Sequence, residues 1–129
     1  MNRTIRRSLA VGLSVAALSL TGLAAAGSAS AAGKDGGLAP GEFGLFYNQN
    51  QAGYIFDLAD SDVNFSNDVF PGTSVGANDN TESYWNRDTR RWDVYTDADG
   101  KGIQGWLPAG QSGNASANFK NQISSAYWR

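Results

Sequence analysis

The acidic side chains carry most of the reactive chemistry in this sequence. The chain contains no Cys and no His, which excludes thiol and imidazole nucleophiles, Ser-His-Asp triads and metal sites built on thiolate or imidazole ligands. Asp57 and Asp60 are candidates for the general acid and base of a glycosidase. Because such acidic residues on a β surface are usually solvated turn residues, we interpret this pair as structural. We therefore expect a protein that is not an enzyme.

The segment Asp97–Gly100 (DADG) has the composition of the start of an EF-hand calcium loop. If Gly100 took the glycine position of that loop, the first and last ligands would be Tyr95 and Trp106, and neither side chain binds calcium. This register excludes an EF-hand. A hairpin turn explains the segment fully.

The chain has 129 residues, which is the size of one domain. Arg3, Arg6 and Arg7 are the only charged residues among the first 31, so removing that stretch leaves 7 basic and 12 acidic residues and a net charge of −5. An acidic protein has no broad attraction for phosphate or anionic lipid. We therefore expect no nucleic-acid partner and no membrane partner.

The N-terminus has the pattern of a secretory signal peptide. A basic start is followed by an Ala-rich apolar run and by small residues near Ala31, which predicts a signal peptide over 1–31 and a secreted, extracellular protein. A transmembrane anchor is the alternative, but no stop-transfer pattern follows the run. Gly-rich residues 32–42 predict a flexible leader, and residues 43–129 form the folded domain.

The folded part has the pattern of an all-β protein. Short runs of aromatic and β-branched residues alternate with Gly, Asn and Asp, which favours strands joined by tight turns. All 15 aromatic residues lie after residue 42, so we expect the tryptophans to form much of the core. The predicted strands are Phe43–Tyr47, Tyr54–Leu58, Ser83–Trp85, Trp92–Thr96, Ile103–Leu107 and Ala126–Trp128.

The domain contains an internal repeat. Phe46–Gly53 matches Tyr95–Gly102 at a shift of 49 residues, and Asn78–Trp85 matches Asn121–Trp128 at a shift of 43. The first unit would then hold six additional residues. Two units of about 40 residues are each too small to close a core, so they would bury their apolar faces against each other. We place the units at 43–86 and 91–129.

These units resemble the βγ-crystallin Greek key, in which a first hairpin carries an aromatic residue, several polar positions and a glycine. Gly53 and Gly102 match that glycine, which the resemblance implies has positive φ. The fold class implied is an all-β sandwich of two Greek-key motifs. We expect its halves to pack through four large apolar side chains, Leu58, Trp85, Leu107 and Trp128.

The same resemblance implies candidate calcium ligands in a loop before the last strand of each unit. The family's loop matches Ala77–Glu82 and Lys120–Ser125. The matching positions are Asn78, Thr81, Asn121 and Ser124. Because these side chains are all neutral, they predict weak calcium binding or none, and no other cofactor is expected. The alternative is that the hydroxyl groups only bond the loop backbone.

The arrangement of a signal peptide followed by such a domain resembles that of secreted actinobacterial peptidase inhibitors of the Streptomyces metalloproteinase inhibitor type. The resemblance implies a monomer that binds an extracellular protease. The candidate contact segment lies within Asp62–Gly76 and offers Phe65, Val69, Phe70 and Pro71, unless the two phenylalanines fold back into the core. The alternative functions are a calcium-binding or structural cell-surface module, or a toxin-like domain.

Overall fold

The computed structural model describes residues 33–129, and the predicted signal peptide lies outside them. Aromatic and β-branched residues form strands that are separated by turns rich in Gly, Asn and Asp. Two short 3₁₀ turns span Phe65–Asn67 and Ala98–Gly100. The strands are β1 Phe43–Asn48, β2 Ala52–Leu58, β3 Ser83–Asn86, β4 Trp92–Asp97, β5 Lys101–Leu107, β6 Ser112–Asn114 and β7 Ser125–Trp128.

The strands form two antiparallel sheets with the order β2-β1-β3-β6 and β5-β4-β7. Each unit contributes backbone pairing to the sheet of the other unit. Strand β6 of the second unit pairs with β3, and Asp62 of the first unit pairs with Ala126 of β7 through backbone bonds of 2.8 and 2.9 Å. This exchange confirms the prediction of an all-β fold with two Greek keys.

The register confirms the repeat for the first two strands of each unit. Phe43 pairs with Leu58, and Trp92 pairs with Leu107 at the same shift of 49 residues. Gly53 and Gly102 have φ values of +82° and +80°, as predicted. A Cβ atom on Gly53 would lie 2.6 Å from the amide nitrogen of the Asn48 side chain, so a glycine is required there.

The predicted shift of 43 for the last strand is wrong by one residue. Phe43 pairs with Asn86 and Trp92 pairs with Trp128, which gives a shift of 42. The segment that joins the second strand to the last strand is therefore seven residues shorter in the second unit than in the first, rather than six. We call this segment the connection of each unit. The error arose because Trp85 and Trp128 look alike in sequence but occupy successive register positions.

The core lies between the sheets. Leu58 and Leu107 are buried there, as predicted. The fully or nearly fully buried apolar side chains of the core are Phe43, Leu45, Phe56, Leu58, Phe65, Phe70, Ala77, Trp92, Val94, Leu107, Ile123 and Ala126.

The expectation of a tryptophan-based core is correct only for Trp92, which is fully buried. Trp85 and Trp128 are exposed by 38% and 41%, and Trp106 is exposed by 62%. Each lies on the rim or outer face of its sheet, where a guanidinium group covers one face of the ring. Arg87 lies 4.9 Å from the Trp85 ring centroid and Arg90 lies 4.2 Å from that of Trp128.

The structure differs from the prediction of a flexible leader over 32–42. Glu42 is fully buried and accepts hydrogen bonds from the backbone N–H groups of Gly33 and Ala39, at 2.7 and 2.8 Å. The side chain of Leu38 lies against Gly44, where an added Cβ would come within 2.7 Å of it. This segment is therefore held on the outer face of the first sheet. Within residues 33–129, no helix is long and apolar enough to cross a membrane.

Candidate functional site

Two of the predicted contact residues lie in the core rather than on the surface. Phe65 and Phe70 are fully buried. The Phe65 ring packs edge-on against Phe56 with centroids 5.0 Å apart, and Phe70 packs edge-on against Tyr47 at 5.6 Å. The structure thus corrects the prediction for these two phenylalanines and favours the alternative in which they fold back. Val69, by contrast, is exposed by 47%.

Backbone and hydroxyl hydrogen bonds hold the tip of the segment in one conformation. Val69 pairs with Gly76, and the N–H of Phe70 donates to the carbonyl oxygen of Val75 at 2.9 Å. The Thr73 hydroxyl donates to the carbonyl oxygen of Phe70 at 2.7 Å and accepts from the N–H of Val75 at 3.0 Å. A loop without cysteine is therefore braced by its own turn and by a buried aromatic anchor.

The exposed surface around this anchor includes two tyrosines that sequence reasoning missed. Tyr47 and Tyr54 are exposed by 36% and 46%, and both contact Phe70, with centroid distances of 5.6 and 6.0 Å. We name Tyr47, Tyr54, Val69 and Pro71 the Val69 surface. The available signal was the position of the tyrosines on either side of the first hairpin turn, near the end of β1 and the start of β2, where strand residues leave the core.

A lysine from the N-terminal segment holds the base of the same loop. Lys34 Nζ lies 3.0 Å from Asp62 and 3.3 Å from Asp68. Burial and the neighbouring Asp62 raise the pKa of Asp68. Burial opposes ionisation of Asp62 as well, but hydrogen bonds from Asp68 and Lys34 outweigh it and lower the pKa of Asp62. These ion pairs join the N-terminal segment to the base of the loop around the Lys34 ammonium group.

The candidate glycosidase pair has no catalytic arrangement. Asp57 is fully buried and accepts hydrogen bonds from the backbone N–H groups of Asp35 and Gly36. Burial raises the pKa of Asp57. Asp60 is exposed. Carboxylate oxygens of Asp35, Glu42 and Asp57 come within 4.8 Å of one another, but Glu42 and Asp57 are occupied with N–H groups of the N-terminal segment.

The two candidate calcium loops meet each other across the pseudo-twofold axis. The N–H of Asp79 donates to the carbonyl oxygen of Ile123 at 3.1 Å, and the N–H of Asn121 donates to that of Thr81 at 2.8 Å. Asp79 and Asn121 have φ values of +57° and +56°. These matched features show that Asp79, not Asn78, is the counterpart of Asn121.

Side chains also cross between the loops. The Ser124 hydroxyl donates to the Asp79 carboxylate at 2.9 Å, and the Asn121 amide donates to the Glu82 carboxylate at 3.1 Å. Of the predicted ligands, Asn121 and Ser124 take part in these contacts. The one-residue error in register left Asp79 and Glu82 out of the matched ligand positions, although both are carboxylates.

The other two predicted ligands lie outside these contacts. Thr81 is fully buried, and its hydroxyl has no hydrogen-bond partner among the described residues. Its counterpart in the second unit is Ile123, a core residue. Thr81 thus occupies an apolar position. Asn78 is half-buried and is the counterpart of Lys120.

The fold and these loops define a βγ-crystallin-like domain. The chain is similar to a solved structure described as the evolution of the eye lens βγ-crystallin domain fold, with 20% identity, a TM-score of 0.61 and coverage of 74% of this chain and 91% of that one. A βγ-crystallin from Ciona intestinalis gives 18% identity, a TM-score of 0.55 and coverage of 69% of this chain and 100% of that one. The N-terminal domain of protein S gives 17% identity, a TM-score of 0.54 and coverage of 68% of this chain and 94% of that one.

A comparison of the sequence with protein-family models identifies the family of this chain. The model described as peptidase inhibitor family I36 matches residues 39–107, and the chain belongs to this family. No curated protein matches the chain. Membership in a family of inhibitors makes this a non-enzymatic protein, which confirms the expectation from its residue types.

Proposed function

We propose that the protein is a secreted inhibitor of an extracellular protease and that it binds the protease through the Val69 surface. The observation that carries this proposal is the match to peptidase inhibitor family I36, because residues 39–107 include the whole of the segment Asp62–Gly76. Residues 1–31 would direct export. The mature chain would act as a monomer, with neither nucleic acid nor a membrane as a partner.

The geometry of the loop supports this proposal. An inhibitor gains affinity when its contact loop is already ordered, since less conformational entropy is lost on binding. Val69 is exposed and Pro71 is half-buried on a turn whose backbone is hydrogen-bonded on both sides. Tyr47 and Tyr54 supply aromatic area of the kind that dominates protein interfaces.

The proposal is tested by incubating residues 33–129 with a panel of metalloproteases and serine proteases. We expect stoichiometric loss of activity for at least one protease, while the inhibitor remains largely uncut. If every protease keeps its full activity, the inhibitory function is wrong and a structural role takes its place.

A second candidate function is calcium binding between the two loops. The observation that favours it is that the Asp79 carboxylate meets the Ser124 hydroxyl and the Glu82 carboxylate meets the side-chain amide group of Asn121. Calcium prefers hard oxygen ligands that include carboxylate, so this donor set fits the ion. A bound ion would contribute charge neutralisation and would tie the two units together. Calorimetric titration of calcium into the chelator-treated protein tests this candidate.

A further inference from the structure

The two units differ in how they fill one equivalent region of the core. Phe56 pairs with Leu45 in the first unit, and Gly105 pairs with Val94 at the corresponding position of the second. Phe56 is fully buried against Phe65 and Phe70. The second unit therefore has a glycine at the position where the first places a phenyl ring.

The second unit also lacks the residues that complete this region. Its connection is seven residues shorter and contains one phenylalanine, Phe119, where the first contains Phe65 and Phe70. Phe119 replaces only part of the missing volume: its ring lies against Gly105, where an added Cβ would come within 2.9 Å of Phe119 Cζ. A cavity of about 210 Å³ remains beside Gly105.

The walls of this cavity are mainly apolar. They include Val94, Leu107, Phe119 and Ile123. Polar groups lie along the rim, where the side-chain amide of Gln111 donates to the Tyr84 hydroxyl at 3.1 Å. An enclosed apolar cavity of about 150 Å³ is large enough to accept benzene. The cavity beside Gly105 opens to solvent on one side, and its volume leaves room for one aromatic ring.

We propose that this cavity is a binding site for one aromatic ring. The internal repeat identifies the chemistry, since the same region of the first unit is filled by phenyl groups. Phe119 offers a ring surface that favours an aromatic guest over an aliphatic one of similar size. The ring can come from a free aromatic molecule or from a Phe side chain of a polypeptide.

The register also describes what a polypeptide would meet beside the cavity. Among the described residues, strand β5 lies at the edge of its sheet and pairs with β4 alone. In the first unit, the carbonyl oxygen of Asp57 faces away from its sheet and accepts the N–H of Lys34 at 2.6 Å. Trp106 is the counterpart of Asp57, so its backbone N–H and carbonyl also face outward. A bound peptide would find main-chain partners there.

The test is a titration of the isotope-labelled protein with benzyl alcohol in one arm and acetyl-phenylalanine amide in the other, followed by NMR. We expect saturable shifts in both arms and intermolecular contacts from ring protons to the methyl groups of Val94, Leu107 and Ile123. Tighter binding of the amide identifies a polypeptide as the source of the ring. Equal or tighter binding of benzyl alcohol identifies a free molecule.

Two matched variants locate the site. Ala115 lines the cavity, so Ala115→Phe should fill it and weaken binding of both probes about tenfold or more. Ala117 is exposed and does not line the cavity, so Ala117→Phe should bind both probes like the original chain. Protease inhibition should be unchanged in both variants, which separates this site from the Val69 surface.

The absence of saturable shifts in both arms would overturn the proposal. Chemical-shift changes that do not involve Val94, Leu107 and Ile123 would also overturn the proposal. Because this measurement uses the unaltered protein, the test stands even if Ala115→Phe fails to fold.

Discussion

Ser83 and Ser125 make the same pair of hydrogen bonds in the two units. The Ser83 hydroxyl donates to the carbonyl oxygen of Asn48 at 2.6 Å, and the Ser125 hydroxyl donates to that of Asp97 at 2.7 Å. Each hydroxyl also accepts the N–H three residues beyond that carbonyl, at 2.9 and 3.2 Å. Each buried serine therefore locks the hairpin of its own unit to the last strand.

We predict that Ser83→Ala and Ser125→Ala each lower the free energy of unfolding by about 1–3 kcal/mol, because each leaves a carbonyl and an N–H without their partner. Urea unfolding at pH 7 measures the change. Ser112→Ala, on an exposed position of β6, is the control and should change stability by less than about 0.5 kcal/mol. Losses no larger than the control would show that water replaces these hydroxyl groups.

Thr81→Val should stabilise the protein by about 1 kcal/mol. The Thr81 hydroxyl is buried and has no hydrogen-bond partner within residues 33–129. Burying such a group costs free energy that a methyl group of the same shape does not. The backbone bond from Asn121 to the carbonyl oxygen of Thr81 does not depend on the side chain. A lower unfolding midpoint in urea would indicate that the hydroxyl has a partner in solution.

Asp88→Asn should destabilise the protein at neutral pH and much less in acid. Burial raises the pKa of Asp88, but hydrogen bonds from Arg90 and from the indole N–H of Trp92 outweigh burial and leave the pKa below its ordinary value. Ionised Asp88 therefore stabilises the fold above the unfolded-state pKa of about 3.9. This stabilisation is lost as the pH falls through the lower folded-state pKa.

The measurement is urea unfolding of both proteins at several pH values between 2 and 7. The difference between them should narrow below about pH 4. Asp60→Asn, at an exposed position, is the matched control and should show little difference at any pH. A gap between Asp88→Asn and the original chain that is constant from pH 7 to pH 2 would contradict the assigned role of the carboxylate.

Calcium should raise the melting temperature by only a few degrees at millimolar concentration. A ligand present at a hundred times its dissociation constant stabilises a protein by about 2.7 kcal/mol, which would move the midpoint of a domain this size by roughly ten degrees or more. We expect a smaller shift because Asp79 and Glu82 are already hydrogen-bonded across the loops. A shift of that full size, lost in Ser124→Arg, would make calcium binding a leading function.

The sequence was sufficient to predict the hairpins but not the complete sheets. Strands β1, β2, β4 and β5 have aromatic or β-branched residues, and each of the two hairpins they form has a glycine with positive φ, so local chemistry specifies them. Strand β6, Ser112–Asn114, has no strand-forming residue and was missed. It is a strand because its backbone pairs with β3 of the other unit, and such long-range pairing leaves no local pattern.

The candidate sites were predicted only in part, for a related reason. Matching a loop residue of one unit to its counterpart in the other requires the correct alignment of the two units. The similar pairs Tyr84-Trp85 and Tyr127-Trp128 gave an alignment that was wrong by one residue. Burial is equally hard to infer for a loop. Phe65 and Phe70 look like exposed anchors in sequence, but the larger first connection folds them over Phe56. The exposed tyrosines then surround this buried anchor.

The most direct test of the proposed inhibitor is to compare two variants of the same segment, Val69→Asp and Val63→Asp, against a protease that the original chain inhibits. Both valines are about half exposed, at 47% and 50%, and only Val69 belongs to the Val69 surface. We predict that Val69→Asp raises the inhibition constant about tenfold or more, which corresponds to about 1.4 kcal/mol. Val63→Asp should inhibit like the original chain. Full inhibition by a folded Val69→Asp protein would contradict the proposed contact surface.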